Sequence, residues 1–294
     1  MAEINIGNTI IGDDHPCYVI AEIGVNHNGE IEIAKKLIDV AAASGCNAVK
    51  FQKRTVEAVY TSDELAHPRE SPFGTTHGDL KFGLEFGLEQ YREIDRHCRV
   101  KGIDWFASCW DEGSVDFIGQ FGISCYKIAS VSLTDDDLLR YTRAKGCPIL
   151  VSTGMSTLKQ VDHAVEVLGK PDLALLHTCS TYPALYKELN LRVIPMLRER
   201  YGVPVGYSGH ETGLSTTIAA VALGACVVER QITLDRAMWG SDQAASLEPQ
   251  DFAHLVRDIR LVESAMGDGV KRVSEREELI MRELRRVDST GGKE

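Results

Sequence analysis

The sequence predicts an α/β fold, a parallel (β/α)8 TIM barrel with a short N-terminal hairpin cap. Three observations carry this. Short apolar runs recur eight times, segments with helical periodicity separate them, and each run ends in polar residues suited to chemistry. In such a barrel the reacting groups sit at the carboxyl ends of the strands. Those ends carry Glu22, Lys50, Gln52, Ser108, Lys127, Ser130, Ser152, His177, Ser208, His210, Glu229 and Gln231. A chain of 294 residues accommodates one barrel of roughly 250 residues and a short extra piece. Residues 1–270 are therefore read as the barrel, and 271–294 as a charged C-terminal helix and tail with no second domain.

Taken in order, Ile4 to Ile11 alternates apolar and polar residues around Gly7-Asn8, a hairpin signal that places a cap under the barrel. The first run, Cys17 to Glu22, is followed by Ile31, Ala34, Ile38, Ala41 and Ala42 at helical spacing, with Gly45 as the stop. The next runs are Ala48 to Gln52, Ile103 to Ser108, Ser124 to Ser130 and Ile149 to Thr153. Leu158, Val161, Val165 and Leu168 then form a helical stripe, opened by Thr157 with Gln160 three residues on as a capping box. Leu173 to Thr178, Val203 to His210 and Cys226 to Gln231 complete the eight. A last stripe, Phe252, Leu255, Val256, Ile259 and Val262, is opened by Pro249. Two connections are long: Lys53 to Leu88, with little periodicity, and Thr233 to Leu247, which contains Met238-Trp239-Gly240-Ser241-Asp242. Long loops at this end of a barrel bind substrate or close over it. Beyond Asp268 the chain is highly charged and finishes in Gly291-Gly292-Lys293-Glu294, read as a solvated helix and a frayed end.

Composition narrows the function. The formal net charge of -11 disfavours nonspecific binding to nucleic acid or to an anionic membrane surface, since both need a basic field. No stretch approaches the roughly 18 apolar residues of a membrane span, and Met1 to Gly12 lacks a charged-then-apolar signal pattern, so a cytoplasmic protein is expected. The eight cysteines include no C-x-x-C pair and fall within strand and helix patterns, where they read as small buried hydrophobes. Cys109 and Cys179, near strand ends, are the exceptions to watch.

Lys50 and Lys127 close two separated strands, and Ser108, Ser130, Ser152 and Ser208 close others. Two ammonium groups and several hydroxyls at one mouth suit a phosphate and a carboxylate together, because the charge must be neutralised and the remaining oxygens hydrogen-bonded. A rival reading makes Lys127 a Schiff-base nucleophile of a pyruvate aldolase. His210, after Gly206-Tyr207-Ser208-Gly209, suits a metal ligand or an acid-base group. Glu229 and Gln231 share one face of the last strand, so both can point inward toward it.

Ala21-Glu22-Ile23-Gly24-Val25-Asn26-His27-Asn28-Gly29, Val49-Lys50-Phe51-Gln52, Tyr126-Lys127-Ile128-Ala129-Ser130, Ser152-Thr153-Gly154-Met155, Leu176-His177 with Thr181-Tyr182-Pro183, Tyr207-Ser208-Gly209-His210 and Gly240-Ser241-Asp242 resemble the sialic acid synthase family, in order from about residue 17 to residue 270. Members condense phosphoenolpyruvate with an N-acetylated amino sugar, such as N-acetylmannosamine, into a nine-carbon 2-keto-3-deoxy sugar acid and release phosphate. The resemblance implies a phosphoenolpyruvate cradle of Lys50, Ser108, Lys127, Ser130, Ser152 and Ser208; Glu229 is counted with the substrate-binding residues. It further implies sugar contacts from Gln52, Tyr182 and Asp242, and an inward carboxylate, Glu22, near the reacting carbons, with Ser180 a further substrate-binding residue. It makes His210 one ligand of a divalent metal, typically manganese, with magnesium or cobalt as alternatives and Gln231 as the second ligand. A homodimer is implied as well.

Three positions depart from the family pattern. Gln231 stands where a second metal-binding histidine is usual, Ser132 where many members carry an acidic residue, and Ser180 where well-known members have asparagine. Gln231 and Ser132 motivate a third reading, a catalytically impaired homologue that binds ligand or a partner. Larger members also continue into an antifreeze-like domain that supplies an arginine to the partner subunit's sugar site. This sequence stops near Arg285-Arg286-Val287, where that linker would begin, so sugar recognition is expected to rest on the barrel's own loops or a separate partner.

Overall fold

The computed structural model describes residues 3–286. Strands β1 (Ile4–Ile6) and β2 (Thr9–Ile11) form the N-terminal hairpin, and β3 (Tyr18–Gly24), α1 (Ile31–Ala43) and β4 (Ala48–Lys53) follow. The connection after β4 holds α2 (Val56–Val59), α3 (Ser62–Ala66), a hairpin of β5 (Pro68–Ser71) and β6 (Gly74–Thr76), and α4 (His77–Leu84). The alternation then resumes with α5 (Leu88–Lys101), β7 (Asp104–Cys109), α6 (Glu112–Gly119), β8 (Tyr126–Ile128), α7 (Asp136–Arg143), β9 (Ile149–Ser152) and α8 (Leu158–Leu168). It ends with β10 (Leu173–Thr178), α9 (Val193–Tyr201), β11 (Val205–Gly209), α10 (Ser215–Ala222), β12 (Val227–Gln231), α11 (Pro249–Met266) and α12 (Glu275–Leu284).

Strands β3, β4, β7, β8, β9, β10, β11 and β12 pair in parallel in that order, and β12 closes on β3 with Gln231 opposite Glu22. This is the (β/α)8 barrel expected from the eight runs. Helices pack on its outer face through two apolar layers. One contains Leu37, Ile38, Tyr91, Trp105, Phe252 and Ile259, and the other Val161, Val165, Leu197, Tyr201 and Tyr207. Inside, Ile4, Ile6 and Ile11 of the hairpin pack against Tyr18, Ile20, Phe106, Leu150 and Leu176, closing the amino-terminal end with side chains. Gly7 makes the hairpin turn at φ +56°, a backbone region that costs glycine little.

Two expectations change. The segment Lys53 to Leu88 is not irregular: its short elements lack room for an apolar stripe and are set by local signals. Capping boxes at Thr61 with Glu64 and at Thr76 with Asp79 open α3 and α4. The run Ser124 to Ser130 yields only the three-residue β8, because Ser130–Ser132 turns into a 3-10 helix. The capping box at Thr157 and Pro249 in the first turn of α11 are both present. Among the described residues all eight cysteines are free, Cys109 is buried, and Cys147 and Cys179 are half-buried. No helix among them is long and apolar enough to cross a membrane. Helix α12 buries none of its residues. The terminal Gly291-Gly292-Lys293-Glu294 lies outside the described residues.

Candidate active site

Side chains alternate between the barrel interior and the helices along each strand, with a period of two. Above the apolar floor, that parity turns Glu22, Lys50, Gln52, Ser108, Lys127, Ser152, Ser208, Glu229 and Gln231 inward. With Ser130, Ser180, Tyr182 and His210 they line a cavity of about 240 Å³ at the carboxyl end of the barrel. Of the candidates, Asp242 and His177 lie outside it; Asp242 lines an adjoining outer chamber and meets the cavity by accepting from Gln231 Nε2 at 2.7 Å. Parity also corrects one strand end. His177 faces away from the barrel and its Nε2 lies 2.6 Å from the Leu189 carbonyl, so it belongs to the packing under α9. The inward group on β10 is Thr178, two residues beyond the interior Leu176, and it lines the cavity with Trp110 and Met155. Thr178 could have been found from that alternation; Trp110 and Met155 lie beyond strand ends and carry no such signal.

Four buried charges form the cavity floor. Lys50 Nζ lies 2.6 Å from Glu22 Oε2 and 3.6 Å from Glu229 Oε2, and donates to Ser108 Oγ at 2.9 Å. Lys127 Nζ donates to Ser152 Oγ at 2.7 Å and lies 3.6 Å from Glu229 Oε1, which also accepts from Ser208 Oγ at 2.9 Å. Burial pushes the Glu22 carboxyl up to about 7, with Lys50 opposing and Glu229 assisting. Burial acts the same way on Glu229, but Lys127 and Lys50 outweigh it and hold that carboxyl below its usual range. Burial lowers Lys127 to about 8 despite Glu229, whereas for Lys50 the two glutamates overcome burial and raise the value. The site thus holds one firmly ionised carboxylate, one poised near neutrality, and two ammonium groups of unequal strength.

His210 and Gln231 stand at the carboxyl ends of β11 and β12, above Glu229 and beside Glu22. The His210 ring donates from Nδ1 to the Cys179 carbonyl at 2.8 Å, and burial lowers its pKa, so the imidazole is neutral with its Nε2 lone pair free. Tyr182 packs on it with ring centroids 4.1 Å apart. Gln231 gives its amide N–H to Asp242, leaving Oε1 buried without a donor. One imidazole nitrogen and one amide oxygen fit a divalent cation, and a buried oxygen without a partner is otherwise costly. Among the described residues no cluster of three or more His, Cys, Asp or Glu side chains could hold a metal ion. Further ligands would have to come from water or substrate.

Ser130 Oγ accepts from the Gly154 amide at 3.1 Å, and a Cβ on Gly154 would collide with Ser180 Oγ. Close approach explains glycine there. Ser180 Oγ is itself buried without a partner and available to a ligand. Ser132, another of the three departures, is buried within the 3-10 turn and does not line the cavity.

The NeuB family pattern matches residues 37–271. The chain is 42% identical over 269 residues to the human N-acetylneuraminate-9-phosphate synthase, covering 90% of this chain and 75% of that one. It is 37% identical over 268 residues to the N,N'-diacetyllegionaminic acid synthase of Campylobacter jejuni, covering 88% and 80%. Among solved structures, the N-acetylneuraminic acid (sialic acid) synthetase of Leptospira borgpetersenii, crystallised with citrate, superposes with a TM-score of 0.85 at 30% identity, covering 97% of this chain and 98% of that one. An eight-stranded barrel with a charged, hydroxyl-lined mouth, matched over nine-tenths of its length by such synthases, belongs to the NeuB family.

Proposed function

We propose that this protein condenses phosphoenolpyruvate with an N-acetylated amino sugar to form a nine-carbon 2-keto-3-deoxy sugar acid, releasing phosphate. The observation that carries the reading is the cluster of Lys50, Lys127, Glu22 and Glu229 beneath a ring of serine hydroxyls, in a cavity open at one end. Lys50 and Lys127 neutralise the phosphate and carboxylate of phosphoenolpyruvate, and Ser108, Ser130, Ser152 and Ser208 hydrogen-bond the remaining oxygens. Gln52, Ser180, Tyr182 and Asp242 orient the sugar so that its aldehyde carbon meets the enol carbon and the new C–C bond forms. The aldehyde oxygen takes a proton to become a hydroxyl. Water then adds to the carbon bearing the phosphate ester, and the C–O bond to phosphate breaks to leave the keto group. Glu22, with a pKa near 7, suits the transfer of the water's proton. A divalent cation held by His210 and Gln231, manganese in the first instance, supplies Lewis-acid polarisation of the aldehyde when bound.

The lowered pKa of Lys127 also suits a Schiff-base lyase. Its bond to Ser152 and its proximity to Glu229 favour the electrostatic role. Exposed apolar groups near the mouth, Val131, Met155, Tyr182, Leu185 and Tyr186, support a homodimer in which a second copy covers them. The deciding experiment measures phosphate release from phosphoenolpyruvate with manganese and a panel of acetamido sugars, with the C–C product confirmed by mass. Release that requires a sugar supports the reading; no release with any sugar overturns it.

A further inference from the structure

Beyond Gln52, Trp110 and Tyr182 the cleft widens into the outer chamber, about 530 Å³, formed largely by the segment after β4 and by the loop after β12. Three cations line it in a chain whose net charge is -11: Arg54, Arg69 and Lys81. Arg54 is already committed. Its Nε lies 2.9 Å from Glu85, it donates to Tyr60 and Gln52, and its guanidinium lies 4.5 Å over Trp110. Arg69 and Lys81 differ, because among the described residues neither makes an ion pair. Lys81 Nζ stands 5.1 Å over the Tyr60 ring, which leaves its protons free for an anion. Both cations act on the same neighbour: burial lowers the His77 pKa first, and Lys81 and Arg69 lower it further against the Glu64 carbonyl. They therefore share one positive field. Two carboxylates face the chamber as well. Asp242 already accepts from Gln231 and Ser241, and Glu70 is exposed and pairs with neither cation.

The chamber is also suited to a sugar. Trp110 and Trp239 contribute to its wall, and Asn28 Oδ1 is buried without a donor while its Nδ2 is held by the Trp239 carbonyl. A sugar whose aldehyde carbon meets phosphoenolpyruvate over the charged floor must extend outward, since the floor is sealed. Its far terminal carbon then arrives among Arg69 and Lys81.

We propose that the outer chamber selects an acetamido sugar phosphorylated on the terminal carbon farthest from its aldehyde, with Arg69 and Lys81 as the phosphate-binding pair. The proposal rests on the condensation reaction proposed above. A phosphate monoester offers a near-dianion to the planar fork of an arginine and the point charge of a lysine, whereas a neutral hydroxymethyl end leaves both unused.

The test compares kcat/KM for N-acetylmannosamine 6-phosphate and N-acetylmannosamine in the parent, Arg69→Ala, Lys81→Ala, the double variant and Lys81→Arg. The parent should prefer the phosphorylated sugar by at least about 10-fold. Each alanine should lower its kcat/KM by about 10-fold through KM, the double variant should bring the ratio of the two sugars near one, and Lys81→Arg should retain most of the preference. A parent that uses the neutral sugar equally well, or variants that lower both sugars alike, overturns the proposal. Phosphate release with the neutral sugar alone overturns it while leaving the condensation intact. If neither sugar supports release, the condensation reading fails, and tryptophan fluorescence then decides the binding pair separately. Quenching by the sugar phosphate that the double variant abolishes supports the pair, and no quenching, or quenching unchanged in that variant, overturns it.

Discussion

The Arg230 guanidinium lies 3.1 Å from the Glu211 carboxylate, and both side chains are sealed from solvent. Each is the sequence neighbour of a candidate metal donor, Glu211 following His210 and Arg230 preceding Gln231. Arg230 also donates to the Glu211 and Gly213 carbonyls, while Glu211 accepts from Tyr207, Thr216 and Thr217. Burial opposes ionisation of Glu211, yet Arg230 and the surrounding donors keep its pKa low. The pair ties the ends of β11 and β12 together behind the two donors.

Removing one member leaves a buried charge without its partner, so Arg230→Met should cost about 3–5 kcal/mol of stability. Urea denaturation would show it, and the double variant Glu211→Leu, Arg230→Met should lose less than the sum of the single losses. An additive double variant would mean that the two residues act independently.

Lys127→Ala should abolish most activity by weakening phosphoenolpyruvate binding, while Lys127→Arg should keep some binding because the charge remains. Borohydride treatment with pyruvate should leave the protein unmodified. A trapped adduct on Lys127 would instead establish the lyase.

Lys127 is charged below its pKa of about 8 and neutral above it. In the free enzyme, therefore, kcat/KM for phosphoenolpyruvate should fall as pH rises through 8, and the fall should move to higher pH in Lys127→Arg. Rates saturating in phosphoenolpyruvate should fall less, since the bound anion stabilises the protonated form. A profile flat to pH 9.5 would remove Lys127 from phosphoenolpyruvate recognition.

Chelation should stop turnover and added metal should restore it. An imidazole binds manganese more strongly than an amide oxygen and can still donate its other N–H to Asp242. Gln231→His should accordingly tighten manganese binding by about 10- to 100-fold, read directly by electron paramagnetic resonance as well as by activity. Identical titration curves would place residue 231 outside the coordination sphere.

The barrel was legible because eight runs and their intervening stripes repeat one pattern, and parity within each run fixes which side chains meet. Lys50, Glu22 and Glu229 could therefore be placed together from sequence, although their mutual distances could not. His177 was misplaced because it lies among residues buried on both faces of β10, where apolar alternation vanishes and only the position of Leu176 reveals the inward side. The Arg230–Glu211 pair left no trace in spacing, since Arg230 lies on β12 facing the helices and Glu211 in the loop after β11. The small elements after β4 escaped for another reason: α3 and α4 are set by capping boxes and β5–β6 by a turn, and none of the segment's elements spans enough residues to show a period.

The isoleucines of the N-terminal hairpin give the chemistry a direction in time. With that end blocked by Ile4, Ile6 and Ile11, traffic through the barrel is single-file. The ligand bound against the lysines must enter first, because a sugar seated above it bars the way. Under the proposed reaction, phosphate produced at depth is detained until the sugar acid departs. The expected kinetic signature is a compulsory sequence, with phosphoenolpyruvate leading and phosphate leaving last, and inorganic phosphate competing with phosphoenolpyruvate rather than with the sugar.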